Sequence, residues 1–241
     1  MDIVCGILAH ERERGAPGSG SVSEAVLRRI AELAPKPLRH SVETGSGKTT
    51  VLLSQLADHH LCFTMDENVA WGAPVDKTNL HFVRQCPLFR ADKTTIVIGP
   101  TQRTLPNHKF TDLFDLALID GAHGYPFPEL DYYFLYPHLR AGGVLIVDDI
   151  NIPTIGRMAE FLAEDDMFAS LPTEGTTAFF QRTLAATFDP EADGWMNQRF
   201  NINRFKHDTR SSIRRGLRIA AQKLAPSLMA MYSRSRFAGR W

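Results

Sequence analysis

Ten residues, Ser41-Val42-Glu43-Thr44-Gly45-Ser46-Gly47-Lys48-Thr49-Thr50, constrain the fold more than any other stretch. Residues 38–42 read as a short strand. Gly45 and Gly47 let the backbone turn tightly and approach a ligand closely. Val51, Leu52, Leu53 and Leu56 then recur at helical spacing. A strand that feeds a glycine turn and a helix is the opening unit of a nucleotide-binding α/β domain. The same run also approaches the phosphate-binding loop G-x-x-x-x-G-K-[ST]. That loop needs a glycine five residues before Gly47, and Val42 stands there. The shortened turn limits how far the amides of Thr44 to Lys48 can wrap a triphosphate. An ATPase or kinase built on Lys48 is therefore the weaker reading.

The rest of the chain repeats the strand-then-helix pattern. Ser21 or Ser23 caps a helix running to about Ala34, and Pro35 and Pro37 stop it. Residues 61–65 form a second strand ending on Asp66-Glu67. A helix at about 79–89 precedes a third strand, 94–98, which opens into Gly99-Pro100-Thr101-Gln102. A fourth strand, 115–119, ends at Asp120-Gly121-Ala122-His123, and a helix follows over 127–139. Ala141-Gly142-Gly143 is a turn. The fifth strand, 144–147, ends in Asp148-Asp149, a helix covers 154–164, and 176–182 reads as an edge strand. This alternation predicts an α/β fold: a doubly wound, mostly parallel, Rossmann-like seven-stranded sheet with helices on both faces. Residues 1–20 read as a flexible N-terminal segment, with a mobile entry loop at 11–21. Residues 21–184 form the main domain, and 185–241 a basic helical extension.

Charge separates that extension from the body. From Arg204 to Trp241 there are ten Lys and Arg against one acid, a net of +9. The other 203 residues carry 17 basic and 26 acidic residues, a net of −9. Ile213, Leu217, Ala220, Ala221 and Leu224 share one helical face in the tail. Such a helix suits anionic lipid, a pyrophosphate-linked sugar or the acidic face of another subunit, and a third reading makes the chain a non-catalytic binding module with this tail as its working part. Its few aromatics argue against specific nucleic-acid binding. No apolar run reaches the roughly 20 residues of a membrane span. The N-terminus lacks the basic start of a signal peptide, and Cys5, Cys62 and Cys86 have no zinc or redox spacing. A cytoplasmic location follows as the expectation.

Ligands of an open α/β sheet bind beyond the carboxyl ends of its strands. Glu43, Asp66, Asp120, Asp148 and Asp149 all fall at such ends. Asp66 lies 19 residues after Gly47, close to the ~20 expected of an acid that holds ribose hydroxyls. The Thr101 loop faces the adenine end of a nucleoside. Asp120, Asp148 and Asp149 sit where three carboxylates can converge, and a hard divalent cation would relieve their repulsion. His123, three residues past Asp120, has the chemistry of a general base at neutral pH.

The segments Val42-Glu43-Thr44-Gly45-Ser46-Gly47, Asp66, Ile119-Asp120-Gly121-Ala122-His123-Gly124-Tyr125 and Leu139 to Asp149 resemble class I methyltransferases of the small-molecule O-methyltransferase kind. The likeness covers roughly residues 21–183. It is greatest to the branch that includes macrolide-sugar O-methyltransferases, and more distant to catechol O-methyltransferase. The resemblance implies S-adenosylmethionine as cofactor, bound by Glu43, Thr44, Gly45, Ser46, Gly47, Asp66, Thr101 and Asp120. Glu43 would receive the ammonium group, directly or through water. Asp120, Asp148 and Asp149 match metal-ligand positions for Mg²⁺ or another divalent cation. His123 falls where the catechol enzyme has a catalytic lysine and the sugar enzymes a histidine, so Asp120 and His123 are the expected catalytic residues. The implied acceptor is a hydroxyl of a small molecule or glycan, and the expected assembly is a homo-oligomer. Two positions depart from the pattern. Asp149 replaces an asparagine of the catechol enzymes, and Gly99-Pro100-Thr101 lacks an acid that many relatives carry.

Overall fold

Seven strands form one sheet in the computed structural model, which describes residues 2–14, 21–65, 78–185 and 198–204. The strands are β1 (His40–Thr44), β2 (His59–Thr64), β3 (Thr94–Ile98), β4 (Phe114–Ile119), β5 (Leu139–Val147), β6 (Phe168–Glu174) and β7 (Thr177–Arg182). They lie in the order β3-β2-β1-β4-β5-β7-β6. β1 to β5 pair in parallel, and β7 runs antiparallel to both β5 and β6. The winding direction reverses between β1 and β4, which opens a ligand crevice at their carboxyl ends.

The helices are α1 (Ile3–Arg14), α2 (Glu24–Leu33), α3 (Lys48–Leu56), α4 (Asn79–Gln85), α5 (Thr101–Asn107), α6 (Phe127–Leu135), α7 (Pro153–Glu164) and α8 (Arg199–Arg204). Of the two candidate caps, Ser23 caps α2: its Oγ accepts from the Val26 amide at 3.3 Å. Every residue of β4 is buried, as a strand covered on both faces requires. Leu116 and Leu118 face one way, into a core built with α1 to α4. Ala117 and Ile119 face the other way, into a core built with α5, α6 and α7.

Three expectations change. Ile3–Arg14 is helical where the sequence reading drew a flexible segment and a mobile loop. The Asp2 carboxylate accepts from the Val4 amide at 2.9 Å and starts this helix, and Val4 and Ile7 enter the core. β7 is internal, not an edge, because Phe179 and Phe180 bury opposite faces. The edge is β6, a strand the sequence reading left out. Its Pro172 lacks an N–H, which suits an edge position. β5 begins at Leu139, so the Gly142-Gly143 turn lies within it as an irregularity against β4, with Gly142 at φ +81.

The chain divides into two units, Met1–Gly194 and Trp195–Trp241. Asp66, expected to hold the ribose, its neighbour Glu67 and the helix expected in the basic tail lie outside the described residues. Among those described, no helix is long and apolar enough to cross a membrane.

Candidate active site

The sheet's hydrogen-bond ladder runs past the carboxyl ends of the strands. The Gly45 amide donates to the Phe63 carbonyl at 2.9 Å, Asp120 to Thr44 at 3.1 Å, and Asp148 to Ile119 at 3.1 Å. This register sets Glu43, Gly45, Asp120 and Asp148 along one edge. The two glycines do different jobs there. Gly45 has φ +91, and a Cβ on it would lie 1.9 Å from the Asp120 carbonyl oxygen. Only glycine permits that approach between the ends of β1 and β4. At Gly47 no atom of the described residues lies within 4 Å of where a Cβ would stand, so among them its missing side chain leaves open space beside the turn. Ser46 Oγ lies 2.9 Å from Thr64 Oγ1 and ties the turn to the end of β2.

Lys48 weighs against the competing reading. Its Nζ meets Glu11 Oε1 of α1 at 2.8 Å, with the two side chains only 5% and 19% exposed. The amine that a phosphate-binding loop would aim at a nucleotide is instead a buried tie between α3 and α1. Thr50 Oγ1 accepts from the Gly47 amide at 2.9 Å and occupies another donor of the turn.

The adjacent acids Asp148 and Asp149 point to different partners. Asp148, expected as a metal ligand, is buried and accepts the Thr177 hydroxyl at 2.6 Å. Burial raises its pKa, and the Thr177 hydrogen bond opposes the rise. Asp149 is the one non-glycine residue with positive φ among the described residues, at 56. Aspartate tolerates this left-handed conformation better than most side chains. Its carboxylate meets His123 Nε2 at 3.1 Å, and Asp120 Oδ1 lies 4.0 Å from the same nitrogen. Asp120, His123 and Asp149 each offer a ligand atom within 4.8 Å of the others. The acids that converge are thus Asp120 and Asp149, joined by the histidine in place of Asp148. Burial pushes the Asp120 carboxyl up to about 7, with the charges of Asp148, Glu43 and Asp149 adding to the effect. The neighbouring Asp120 carboxylate raises the pKa of His123, and Asp149 adds to the rise.

Beneath the turn lie polar groups without protein partners. Glu43 is fully buried. One carboxylate oxygen receives His60 Nε2 at 3.1 Å, and the other, Oε2, has no partner among the described residues. Thr44 Oγ1 is buried and makes no hydrogen bond of good geometry among the described residues, although the Asp131 carboxyl lies near it. Buried polar atoms are costly in that state. An unsatisfied acceptor and hydroxyl at the turn, beside the open space at Gly47, fit a ligand with an ammonium group and further polar atoms. Thr101, expected near the adenine, opens α5 and lies close to Asp131 of α6. Asp131 is fully buried, and neither of its oxygens finds a hydrogen bond of good geometry among the described residues. Burial pushes its carboxyl up to about 6, and the nearby hydroxyls of Thr101 and Thr44 temper the rise. His60, Asp131, Thr177 and the Glu11–Lys48 pair were not foreseen from sequence. Their only signal there is a polar side chain inside a run that folds into the core.

Residues 42–150 match the methyltransferase-domain family. No curated protein matches the chain in sequence. Several solved structures share the fold at low identity. A putative caffeoyl-CoA O-methyltransferase from Staphylococcus aureus aligns with a TM-score of 0.57 at 14% identity, over 76% of this chain and 93% of its own. A putative O-methyltransferase from Klebsiella pneumoniae gives 0.56 at 15%, over 76% and 90%. The O-methyltransferase TomG from Streptomyces achromogenes, involved in tomaymycin synthesis and solved in complex with SAM, gives 0.54 at 18%, over 76% and 90%.

Proposed function

We propose that this chain, an S-adenosylmethionine-dependent methyltransferase by its domain family and fold, methylates a hydroxyl of a small molecule or sugar. One observation carries the reading. His123 stands at the carboxyl edge with two carboxylates on its Nε2 and 45% of its side chain exposed, beside a glycine turn whose buried acceptors lack partners. S-adenosylmethionine supplies an electrophilic methyl group on a sulfonium when bound. Glu43 and Thr44 offer that ligand an anionic acceptor and a hydroxyl, and Gly47 leaves it room. Asp66 is the proposed holder of the ribose hydroxyls.

His123 takes the proton of the acceptor hydroxyl as the oxygen becomes a nucleophile. Asp120 and Asp149 then stabilise the imidazolium. Nε2 faces the Asp149 carboxylate and so carries hydrogen, which leaves Nδ1 to take the acceptor's proton. Methyl-labelled S-adenosylmethionine, incubated with a panel of phenols, catechols and sugars, tests the reading. Label should enter an ether, and His123→Ala should remove it. Labelled products confined to nitrogen or carbon, or label transfer undiminished in His123→Ala, would contradict it.

The clustering of three ligand atoms within 4.8 Å supports a second role for the same residues. The set of two carboxylates and one imidazole suits a divalent cation such as Mg²⁺ or Mn²⁺. A cation held by Asp120, His123 and Asp149 would supply Lewis acidity toward the acceptor hydroxyl. The two roles compete for one nitrogen, since Nε2 either carries a proton or binds metal. Activity that survives exhaustive chelation selects the base; activity lost to chelation and restored by Mg²⁺ selects the cation.

A further inference from the structure

We propose that His60 is a positioning residue for the cofactor, holding one oxygen of Glu43 so that the other receives the ammonium group of S-adenosylmethionine. The proposal rests on the cofactor reading above. A histidine is out of place at this position. β2 is an inner parallel strand, where near-continuous apolar runs are the rule, yet His60 is 1% exposed. Its ring nitrogens are both engaged. Nδ1 lies 2.9 Å from Ser41 Oγ, and Nε2 lies 3.1 Å from Glu43 Oε1. Ser41 and Glu43 are two residues apart on β1, so both side chains fall on the same face. The pairing of Ser41 with His60 and of Glu43 with Cys62 brings the ring between them.

This network fixes where the proton sits. An ionised carboxylate only accepts. A lone pair on Nε2 would face it with nothing to share, so Nε2 carries hydrogen and donates to Oε1. The Ser41 hydroxyl can donate to Nδ1 and complete a chain from Ser41 through His60 to Glu43 Oε1. The Cys62 thiol donates to the Gly45 carbonyl at 3.2 Å and also lies close to the Glu43 carboxylate. Burial, followed by the charge of Glu43, pushes that thiol well above its ordinary range. Two β2 side chains thus hold the turn of β1. Cys62 holds the Gly45 backbone, and His60 holds the Glu43 carboxylate. What remains is a buried oxygen, Oε2, with no hydrogen bond of good geometry among the described residues. A carboxylate fixed in this way presents its free oxygen to a cation in one orientation, and charge-assisted bonds of that kind are the stronger ones.

Titration calorimetry with two ligands tests this. S-adenosylhomocysteine and 5′-methylthioadenosine are both thioethers of the same nucleoside, and only the first carries an amino-acid group. His60→Asn keeps a polar atom near Ser41 but loses the donor to Glu43. His60→Gln places an amide N–H near the position of Nε2. The expected result is that His60→Asn weakens S-adenosylhomocysteine roughly tenfold or more. The same variant leaves 5′-methylthioadenosine unchanged, and His60→Gln retains most of the affinity for both. Unchanged S-adenosylhomocysteine binding in His60→Asn overturns the proposal, as does equal weakening of both ligands or of both variants. Should His60→Asn not fold, Ser41→Ala carries the test. It should weaken S-adenosylhomocysteine selectively, and wild-type affinity there overturns the proposal. A wild-type protein that binds neither ligand removes the cofactor reading itself. One that binds both, with His60→Asn indifferent, removes only the role of His60.

Discussion

Adjacent identical residues can have unlike fates, and Asp148 and Asp149 show how. Asp148 extends the β4–β5 ladder and turns inward to Thr177, while Asp149 adopts a left-handed backbone and swings to His123. His123→Ala should lower kcat by about 100-fold or more, the usual contribution of a general base. Affinity for S-adenosylhomocysteine should change little, which calorimetry on the same variant checks. Asp131 gives a prediction about stability. Its native carboxyl titrates at about 6 against an ordinary 3.8. The native state therefore holds a proton that the unfolded chain has already lost between those values. The stability from this group is complete below the lower value and is lost as pH rises through the upper one. The shift corresponds to about 3 kcal/mol. Urea denaturation from pH 4 to pH 8 should show that decline, and Asp131→Asn should flatten it. A decline of the same size in Asp131→Asn would assign it to other groups.

At the scale of elements, what sequence makes legible is periodicity and punctuation. The strand, turn and helix at 38–56, the fourth strand with its Asp120-Gly121-Ala122-His123 end and the helix at 154–164 are all readable from apolar spacing and glycines. Partners distant in the chain are not. Nothing local to His60 marks it as the neighbour of Glu43, and nothing local to Lys48 reveals Glu11. β6 was missed because Phe-Ala-Ser-Leu-Pro-Thr-Glu lacks the apolar run of an inner strand, and β7 was taken for an edge before that outer neighbour was known. The glycine turn offers a contrast that sequence alone cannot draw. Gly45→Ala should cost at least about 2 kcal/mol, because it meets both a positive φ and the Asp120 carbonyl. Gly47→Ala should unfold in urea like wild type while binding the cofactor more weakly. Equal destabilisation by the two changes would mean that the turn has a single structural role.

Over the whole molecule, the N-terminal helix and the glycine turn are coupled through the Glu11–Lys48 pair. Removing one partner of a buried pair leaves an uncompensated charge. Glu11→Ala should therefore destabilise the protein by about 2 kcal/mol, less than for a fully buried pair because Glu11 is partly exposed. The two cores pack on either side of the sheet, and the proposed ligand site lies at the sheet's carboxyl edge. The central claim is that this edge is built for a sulfonium nucleoside and not for a triphosphate. Calorimetric titration of the wild-type protein with S-adenosylmethionine, and separately with Mg²⁺-ATP, tests it most directly. Saturable one-to-one binding of S-adenosylmethionine with no response to ATP is the predicted result. No heat at millimolar S-adenosylmethionine, or saturable binding of ATP, would contradict it.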